Sequence, residues 1–130
     1  MAGHIDLLRE RYQQFGEGDV ATATQEWADD LVWLGSGDGG LPGGGEHRGK
    51  AAALAALREA VGAWDQFGLV MEEFLEDGDT IVALGHSEVR KGQECAQLPA
   101  VHTWRWRGDE VISVEILTDT LRSAHLLGIA

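Results

Sequence analysis

Residues 99–119, PAVHTWRWRGDEVISVEILTD, predict two β-strands joined at Gly108. A three-residue loop, Gly108-Asp109-Glu110, would pair three ring-bearing side chains with three aliphatic ones: His102 with Ile116, Trp104 with Val114, and Trp106 with Ile112. That register collects the large apolar side chains on one face of the hairpin. A two-residue turn would place the aliphatic residues beside the arginines, so the three-residue loop is favoured. The sequence therefore predicts an apolar sheet face that surrounds a single histidine.

Composition limits the protein classes to which this chain could belong. Its 130 residues suffice for one domain, residues 1–130, with its own core. With 22 acidic and 10 basic residues the formal net charge is -12, which disfavours binding to nucleic acid or to an anionic membrane surface. Cys95, the only cysteine, has no partner for an internal disulfide, and no apolar run is typical of a signal peptide or a membrane span. These features predict a cytoplasmic protein.

Apolar periodicity and capping residues predict the remaining elements. The predicted helices are 5–15, a short one from Asp19 to Trp27, 50–64, and 120–127 behind an Asp119 cap; the predicted strands are 31–34, 67–75 and 80–90. Residues 91–97 are predicted to form a loop into the central hairpin. Helices come first and an antiparallel sheet follows, which indicates the α+β class.

The dipeptide Asp77-Gly78 is a two-residue turn signal between strands 67–75 and 80–90. The register that follows from this turn pairs Val70 with Gly85, Glu72 with Ala83, and Phe74 with Ile81. It places Glu72 on the same face as His102, as the only strand carboxylate there. It also turns His86 to the opposite face, together with Leu69 and Leu84.

Glycine dominates the segment 35–45, GSGDGGLPGGG. A phosphate-binding loop is disfavoured because no GK[ST] motif follows at the required spacing. So much glycine is entropically costly to order. The segment is therefore predicted to be a mobile flap or surface loop, and one that becomes ordered over a ligand if it acts as a lid.

Five segments of the chain resemble the SnoaL-like, ketosteroid-isomerase-related branch of the nuclear transport factor 2-like superfamily. They are YQQFGEGD (12–19), WADDLVW (27–33), HRGK (47–50), EDGDTIVALG (76–85) and VHTWRWRGDEVISVEILTDT (101–120). The resemblance implies a cone in which a strongly curved, mixed or antiparallel sheet is wrapped by N-terminal helices around a deep apolar cavity. It also implies a homodimer that forms through the outer face of the sheet.

The catalytic acids known in the family do not carry over to this chain. The resemblance places the isomerase base near Gly35, the last-strand acid of epoxide hydrolases and polyketide cyclases at Ile116, and the epoxide-hydrolase Arg and Asp near Gly85 and Ser87. None of these four residues can ionise as those mechanisms require. His102, in contrast, lies where isomerases hold a second acid and some cyclases a histidine, and Tyr12 lies near the first-helix tyrosine of the isomerases.

His102 is the leading catalytic candidate because an imidazole titrates near neutral pH and a dry pocket would lower its pKa. The alternative is a neutral core histidine. Glu72 is the second catalytic candidate. The residues expected to bind a ligand are Tyr12, Trp33, Trp64, Gly85, Ser87, His102, Trp104 and Ile116. No metal-binding motif is present, and neither a metal nor a cofactor is expected.

Two function classes remain open from the sequence. The leading hypothesis is a cofactor-independent enzyme that performs isomerisation, cyclisation or related proton transfer on an apolar, ring-containing small molecule. The alternative is a non-catalytic ligand-binding or dimerisation module that keeps the cavity but has lost the family acids. In either class a homodimer is expected, because the face with Val101, Thr103, Arg105, Glu115 and Leu117 is too apolar for a free surface.

Overall fold

The computed structural model describes residues 3–129. The helices are α1 (His4–Gly16), α2 (Val20–Ala23), α3 (Lys50–Gly62) and α4 (Thr120–Leu126), with a 3-10 turn at Asp38–Gly40. The strands are β1 (Trp27–Gly35), β2 (Gly45–Arg48), β3 (Gln66–Asp77), β4 (Thr80–Lys91), β5 (Glu94–Arg107) and β6 (Glu110–Thr118). The predicted α+β class is confirmed.

All six strands form one sheet in the order β2-β1-β6-β5-β4-β3. Neighbouring strands are antiparallel except β1 and β6, which are parallel. The end strands β2 and β3 are not paired with each other, so the sheet stays open. Helix α3 packs on β1 and helix α1 on β3, over the face that carries the apolar core. This arrangement agrees with the predicted mixed sheet wrapped by N-terminal helices.

The central hairpin β5–β6 has the predicted pairing around the histidine, but a different turn. His102 lies opposite Ile116 and Trp104 opposite Val114. The turn contains two residues, Gly108 and Asp109, because Arg107 pairs with Glu110. A β-bulge at Ile112 then restores the alternation, so Trp106 lies opposite Val111 and the predicted pair with Ile112 is wrong.

The predicted register of the β3–β4 hairpin is wrong by at least one residue. Asp77 pairs with Thr80, so the turn is Gly78-Asp79, and a bulge interrupts β3 between Met71 and Glu73. A one-residue slip exchanges the two faces of a strand. Before the bulge, Leu69 and Met71 therefore face inward in place of the predicted Val70 and Glu72. Phe74, after the bulge, faces inward as predicted but lies opposite Ala83.

Helices α2 and α4 begin where their capping residues predict. The Asp19 carboxylate accepts from the Thr22 N–H at the start of α2, and the Asp119 carboxylate accepts from the Arg122 N–H at the start of α4. Helix α2 ends at Ala23, earlier than predicted, because Trp27 already begins β1. The predicted loop 91–97 is a tight turn instead, since Lys91 pairs with Glu94. Among residues 3–129, no helix is long and apolar enough to cross a membrane.

Candidate functional site

The apolar interior contains two adjoining chambers. The main chamber has a volume of about 130 Å³ and lies beneath α3 and the glycine-rich segment. The small chamber has a volume of about 60 Å³ and lies between α1, α2 and the sheet. Both are lined by the same six residues: Phe15, Trp33, Leu57, Leu69, His102 and Ile116. His102 therefore stands at the junction of the two chambers.

His102 is buried on β5 and belongs to a chain of hydrogen bonds. The Tyr12 hydroxyl on α1 lies 2.6 Å from Nδ1 of His102. The Trp104 indole donates its Nε1–H to the same hydroxyl oxygen at 2.9 Å. The Tyr12 and Trp104 rings meet nearly perpendicularly, at 84°. Three side chains from α1 and β5 thus fix the imidazole plane.

The hydrogen-bond chain selects one tautomer of His102. Because the Tyr12 oxygen already accepts from Trp104, the hydroxyl hydrogen is free to be donated to Nδ1. The proton of a neutral imidazole then resides on Nε2. The opposite tautomer would leave the buried hydroxyl hydrogen without an acceptor, which is costly. Among residues 3–129 no protein group hydrogen-bonds to Nε2, so Nε2–H is available to a molecule in the chambers.

Burial keeps this group of side chains uncharged. Removal of the imidazole from water lowers the pKa of His102 to about 4. Burial likewise raises the pKa of Tyr12 far above its ordinary value, against the smaller opposing effect of the Trp104 hydrogen bond. At neutral pH the site therefore presents a neutral N–H donor and a neutral phenol.

The remaining polar groups at the chambers are few. Ser87 on β4 and Thr118 at the end of β6 line the main chamber, and the Thr118 hydroxyl is buried without a partner in the described part of the chain. Arg11 borders the small chamber, but its guanidinium donates to the Glu26 carboxylate through two bonds of 2.7 Å. Within residues 3–129, no carboxylate lines either chamber.

The glycine-rich segment forms one wall of the main chamber. The Trp33 indole donates to the Gly43 carbonyl at 2.8 Å. A Cβ on Gly43 would lie 2.4 Å from the Ala56 carbonyl oxygen, and a Cβ on Gly35 would lie 2.0 Å from the Gly43 carbonyl oxygen. These glycines are needed for close backbone contact, a reason distinct from the flexibility inferred from composition. Movement of the segment on ligand binding stays a prediction.

Most of the residues expected to bind a ligand border a chamber. These are Tyr12, Trp33, Trp64, Ser87, His102, Trp104 and Ile116. Gly85 does not, because the β3 backbone before the bulge lies against it: a Cβ there would lie 2.0 Å from the Val70 carbonyl oxygen. The sequence missed the role of Tyr12 as the partner of His102, since 90 residues separate them.

Glu72, the second catalytic candidate, lies outside the cavity. Its side chain is 66% exposed on the outer face, where the carboxylate lies 3.3 Å from Nδ1 of His86. The predicted pairing with Ala83 is wrong, because Phe74 holds that place and Glu72 is at the bulge. Glu72 therefore cannot reach a molecule beside His102, which is the one histidine among the described residues that line the chambers.

Comparison with solved structures gives the same fold. An NTF2-like protein of unknown function from Burkholderia pseudomallei K96243 is 27% identical, covering 98% of each chain with a TM-score of 0.86. TerC, co-crystallised with polyporic acid, is 26% identical over 95% of this chain and 97% of its own, with a TM-score of 0.85. AclR, a putative hydroxylase from Streptomyces galilaeus, is 12% identical over 97% of this chain and 85% of its own, with a TM-score of 0.74.

Among curated proteins none matches the chain. The model of the SnoaL-like domain family matches residues 8–114, which include α1, the tryptophans of β1 and the whole of β5. This match covers most of the chain and contains the Tyr12–His102 pair. The protein therefore belongs to the SnoaL-like family, with the cone-shaped NTF2-like fold.

Proposed function

We propose that this protein is a cofactor-independent enzyme that binds an uncharged small molecule and acts at its carbonyl group. The observation that carries the proposal is the neutral His102, whose Nε2–H is available at the junction of two apolar chambers. A carbonyl oxygen is the natural acceptor for such a donor. The family membership supports a small-molecule site, as does the crystal structure of TerC with polyporic acid.

The reactions that suit this geometry build negative charge on the carbonyl oxygen. Enolisation, in an isomerisation or before a ring closure, does so. The proton on the carbon beside the carbonyl passes to a water molecule or hydroxide ion from solvent, because no carboxylate among residues 3–129 lines the chambers, and the electron pair of that C–H bond moves towards the carbonyl oxygen. A fixed donor in a dry site stabilises that charge more strongly than water does, and loss of one such donor typically lowers the rate by about 10²- to 10³-fold. The Tyr12–Trp104 chain supports this role because it holds the proton on Nε2 before the substrate arrives.

This role differs from general-base catalysis by His102. Nδ1 accepts the hydrogen bond from the Tyr12 hydroxyl and Nε2 already bears a proton. Neither nitrogen is therefore free to take a proton from the substrate. The low pKa of His102, about 4, also makes its conjugate acid unstable at neutral pH. We therefore assign His102 as a hydrogen-bond donor that polarises the carbonyl.

A second candidate function is non-catalytic binding of the same class of molecule. The observation that favours it is specific: within residues 3–129, neither chamber is lined by a carboxylate that could remove a proton from carbon. In that case His102 would orient a ligand without assisting a reaction. The two candidates share the cavity and differ in whether a carbon–hydrogen bond is broken.

Proton exchange at carbon separates the two candidates. Acetophenone is incubated in D₂O with the wild-type protein, and deuterium entry into its methyl group is followed by NMR. The enzyme hypothesis predicts exchange above the buffer rate. His102→Phe, which keeps a ring but removes the donor, should lower that rate by about 10²- to 10³-fold.

Two further variants sharpen this experiment. His102→Gln should keep part of the rate, since its amide can accept from Tyr12 and still donate into the chamber. If His102 acted as a base, His102→Gln would be as inactive as His102→Phe. Glu72→Gln, outside the cavity, is the control and should exchange at the wild-type rate. Binding of acetophenone without any exchange would support the non-catalytic candidate.

We also propose that the protein acts as a homodimer in the cytoplasm. The support for the dimer is the outer face of the sheet, where Val70 is 40% exposed, Leu75 53% and Leu117 50%. An apolar group of this kind on a sheet face is typical of an interface. Support for the cytoplasm is the single, exposed Cys95, which forms no disulfide.

A further inference from the structure

The two chambers beside His102 differ in size, and this difference bears on the shape of the substrate. The main chamber has about 130 Å³ and the small one about 60 Å³. A carbonyl carbon held at the imidazole has two substituents. The shared lining at His102 lets one substituent extend into each chamber, so the site distinguishes a larger substituent from a smaller one.

Known cavities give the scale of these substituents. An engineered apolar cavity of about 150 Å³ binds benzene. The main chamber therefore suits a single six-membered ring, whose flat faces would meet Trp33, Trp64 and Leu57. The small chamber, closed by Ala23, Val114 and Trp27, suits a short alkyl group. A second ring on the carbonyl would not fit there.

Charge limits the substrate further. Of the residues that the structure describes, no Asp, Glu, Lys or Arg lines the main chamber. In the small chamber, Arg11 is the one charged side chain among residues 3–129, and it is paired with Glu26. A carboxylate or ammonium on the substrate would lose its hydration without gaining a partner, which weakens binding. An anion would in addition meet the net charge of -12.

We infer that the substrate is an uncharged ketone-type compound with unequal substituents, one monocyclic ring and one short alkyl group, whose carbonyl oxygen accepts from Nε2 of His102. This inference rests on the proposed function, because it assumes that the ligand is held by its carbonyl. It adds the size, charge and asymmetry of the molecule, which the function alone does not specify.

A series of matched probes tests the inference by binding rather than by reaction. Dissociation constants are measured from quenching of tryptophan fluorescence for acetophenone, propiophenone and butyrophenone. Affinity should rise about fourfold with each added methylene until the small chamber is full. Benzophenone, with a second ring, should bind at least tenfold more weakly than propiophenone. Ethylbenzene, without the carbonyl, and benzoate, with a charge, should also bind at least tenfold more weakly.

Two variants assign the substituents to the chambers. Ala23 borders only the small chamber and Val61 only the main one. Ala23→Leu should selectively weaken the binding of butyrophenone and leave the affinity for acetophenone nearly unchanged. Val61→Phe should weaken the binding of all three ketones to the same extent. Circular dichroism confirms that each variant is folded, and a second filling variant, Leu127→Phe in the main chamber, serves if Val61→Phe is not.

The outcomes separate this inference from the proposed function. Equal affinity for benzophenone or benzoate would overturn the inference, whatever the rate of deuterium exchange. The predicted ranking without exchange would support the inference on the substrate and contradict the enzyme hypothesis. If Ala23→Leu weakened all ketones to the same extent, the assignment of the alkyl group to the small chamber would be wrong.

Discussion

The hydroxyl of Tyr12 lies 2.6 Å from Nδ1 of His102, although 90 residues separate the two along the chain. This one contact ties the first helix to the central strand. It also determines which imidazole nitrogen is available to a molecule in the cavity. Its energetic and spectroscopic consequences can be measured directly, without knowledge of the substrate.

The tautomer of His102 should be visible by NMR. In protein labelled with ¹⁵N-histidine, His102 should show a protonated Nε2 and an unprotonated, accepting Nδ1 at pH 7. Tyr12→Phe removes the donated hydrogen and should allow the Nδ1–H form to appear. Trp104→Phe removes only the bond that orients the hydroxyl, so its effect should be smaller. Imidazolium signals in the wild-type protein at pH 7 would contradict this assignment.

The protein should become less stable as the pH is lowered, because of His102. Its pKa is lowered to about 4 in the folded protein and is about 6.5 in an unfolded chain. As the pH falls below 6.5, the unfolded state binds a proton that the folded state does not bind. The contribution of neutral His102 to the free energy of unfolding should therefore be fully present above about pH 6.5. It should decrease towards pH 4, by about 2 kcal/mol between pH 7 and pH 5.

Urea denaturation of the wild type and of His102→Gln at pH 7 and pH 5 measures this contribution. The comparison removes the titration of the carboxylates, which both proteins share. The wild type should lose about 2 kcal/mol more than the variant over this range. Parallel pH dependence of the two proteins would show that His102 is not the responsible group. The measurements stop at pH 5 because the sequence pI is about 4.6.

Gly85 should tolerate no side chain. A Cβ would lie 2.0 Å from the Val70 carbonyl oxygen and 2.7 Å from Met71 Cα, both backbone atoms of the neighbouring strand β3. Gly85→Ala should therefore lower the free energy of unfolding by at least about 2 kcal/mol. For Gly68, on the same strand pair, no atom of the described residues lies within 4 Å of such a Cβ. Gly68→Ala is the matched control and should change stability by no more than about 0.5 kcal/mol.

The outer face of the sheet should hold two copies of the chain together. Sedimentation equilibrium at micromolar concentration should give about twice the chain mass of 14.0 kDa. Leu84→Glu places a charge on that face and should produce monomers. Leu121→Glu replaces a residue that is 65% exposed on helix α4, and the dimer should persist. A wild-type monomer under these conditions would refute the proposed dimer.

The pairing of His102 with Ile116 and of Trp104 with Val114 was predictable from the sequence, because only that register separates the apolar residues from the arginines. The bulge at Ile112 was not. A two-residue turn followed by a bulge gives the same pairing at His102 as a three-residue loop, so the hydrophobic pattern cannot distinguish them. An incorrect prediction of the loop length was therefore compatible with a correct prediction of the pairing at His102.

In the other hairpin the same kind of error moved a candidate site residue. A turn at Asp77-Gly78 is favoured by local sequence preference, but the structure places it at Gly78-Asp79. The turn shift changes the pairing by two residues, so Phe74 stays on the cavity side as predicted. The bulge between Met71 and Glu73 then exchanges the faces of the preceding residues and removes Glu72 from the cavity side. On that face Phe74 packs against Tyr12 of α1, with the two ring centroids 6.0 Å apart. Contacts between distant elements of this kind are not visible in a single sequence.

The bulges at Glu72 and Ile112 also matter for any alignment of this chain with other members of its family. Each adds one residue to a strand without lengthening the hairpin loop. An alignment that assigns such a length difference to the turn at Gly108 would displace every residue between the turn and Ile112 by one position. A gap in such an alignment should therefore be placed at the bulge rather than at the turn. Only then are residues that lie at the same depth in the two cavities aligned with each other.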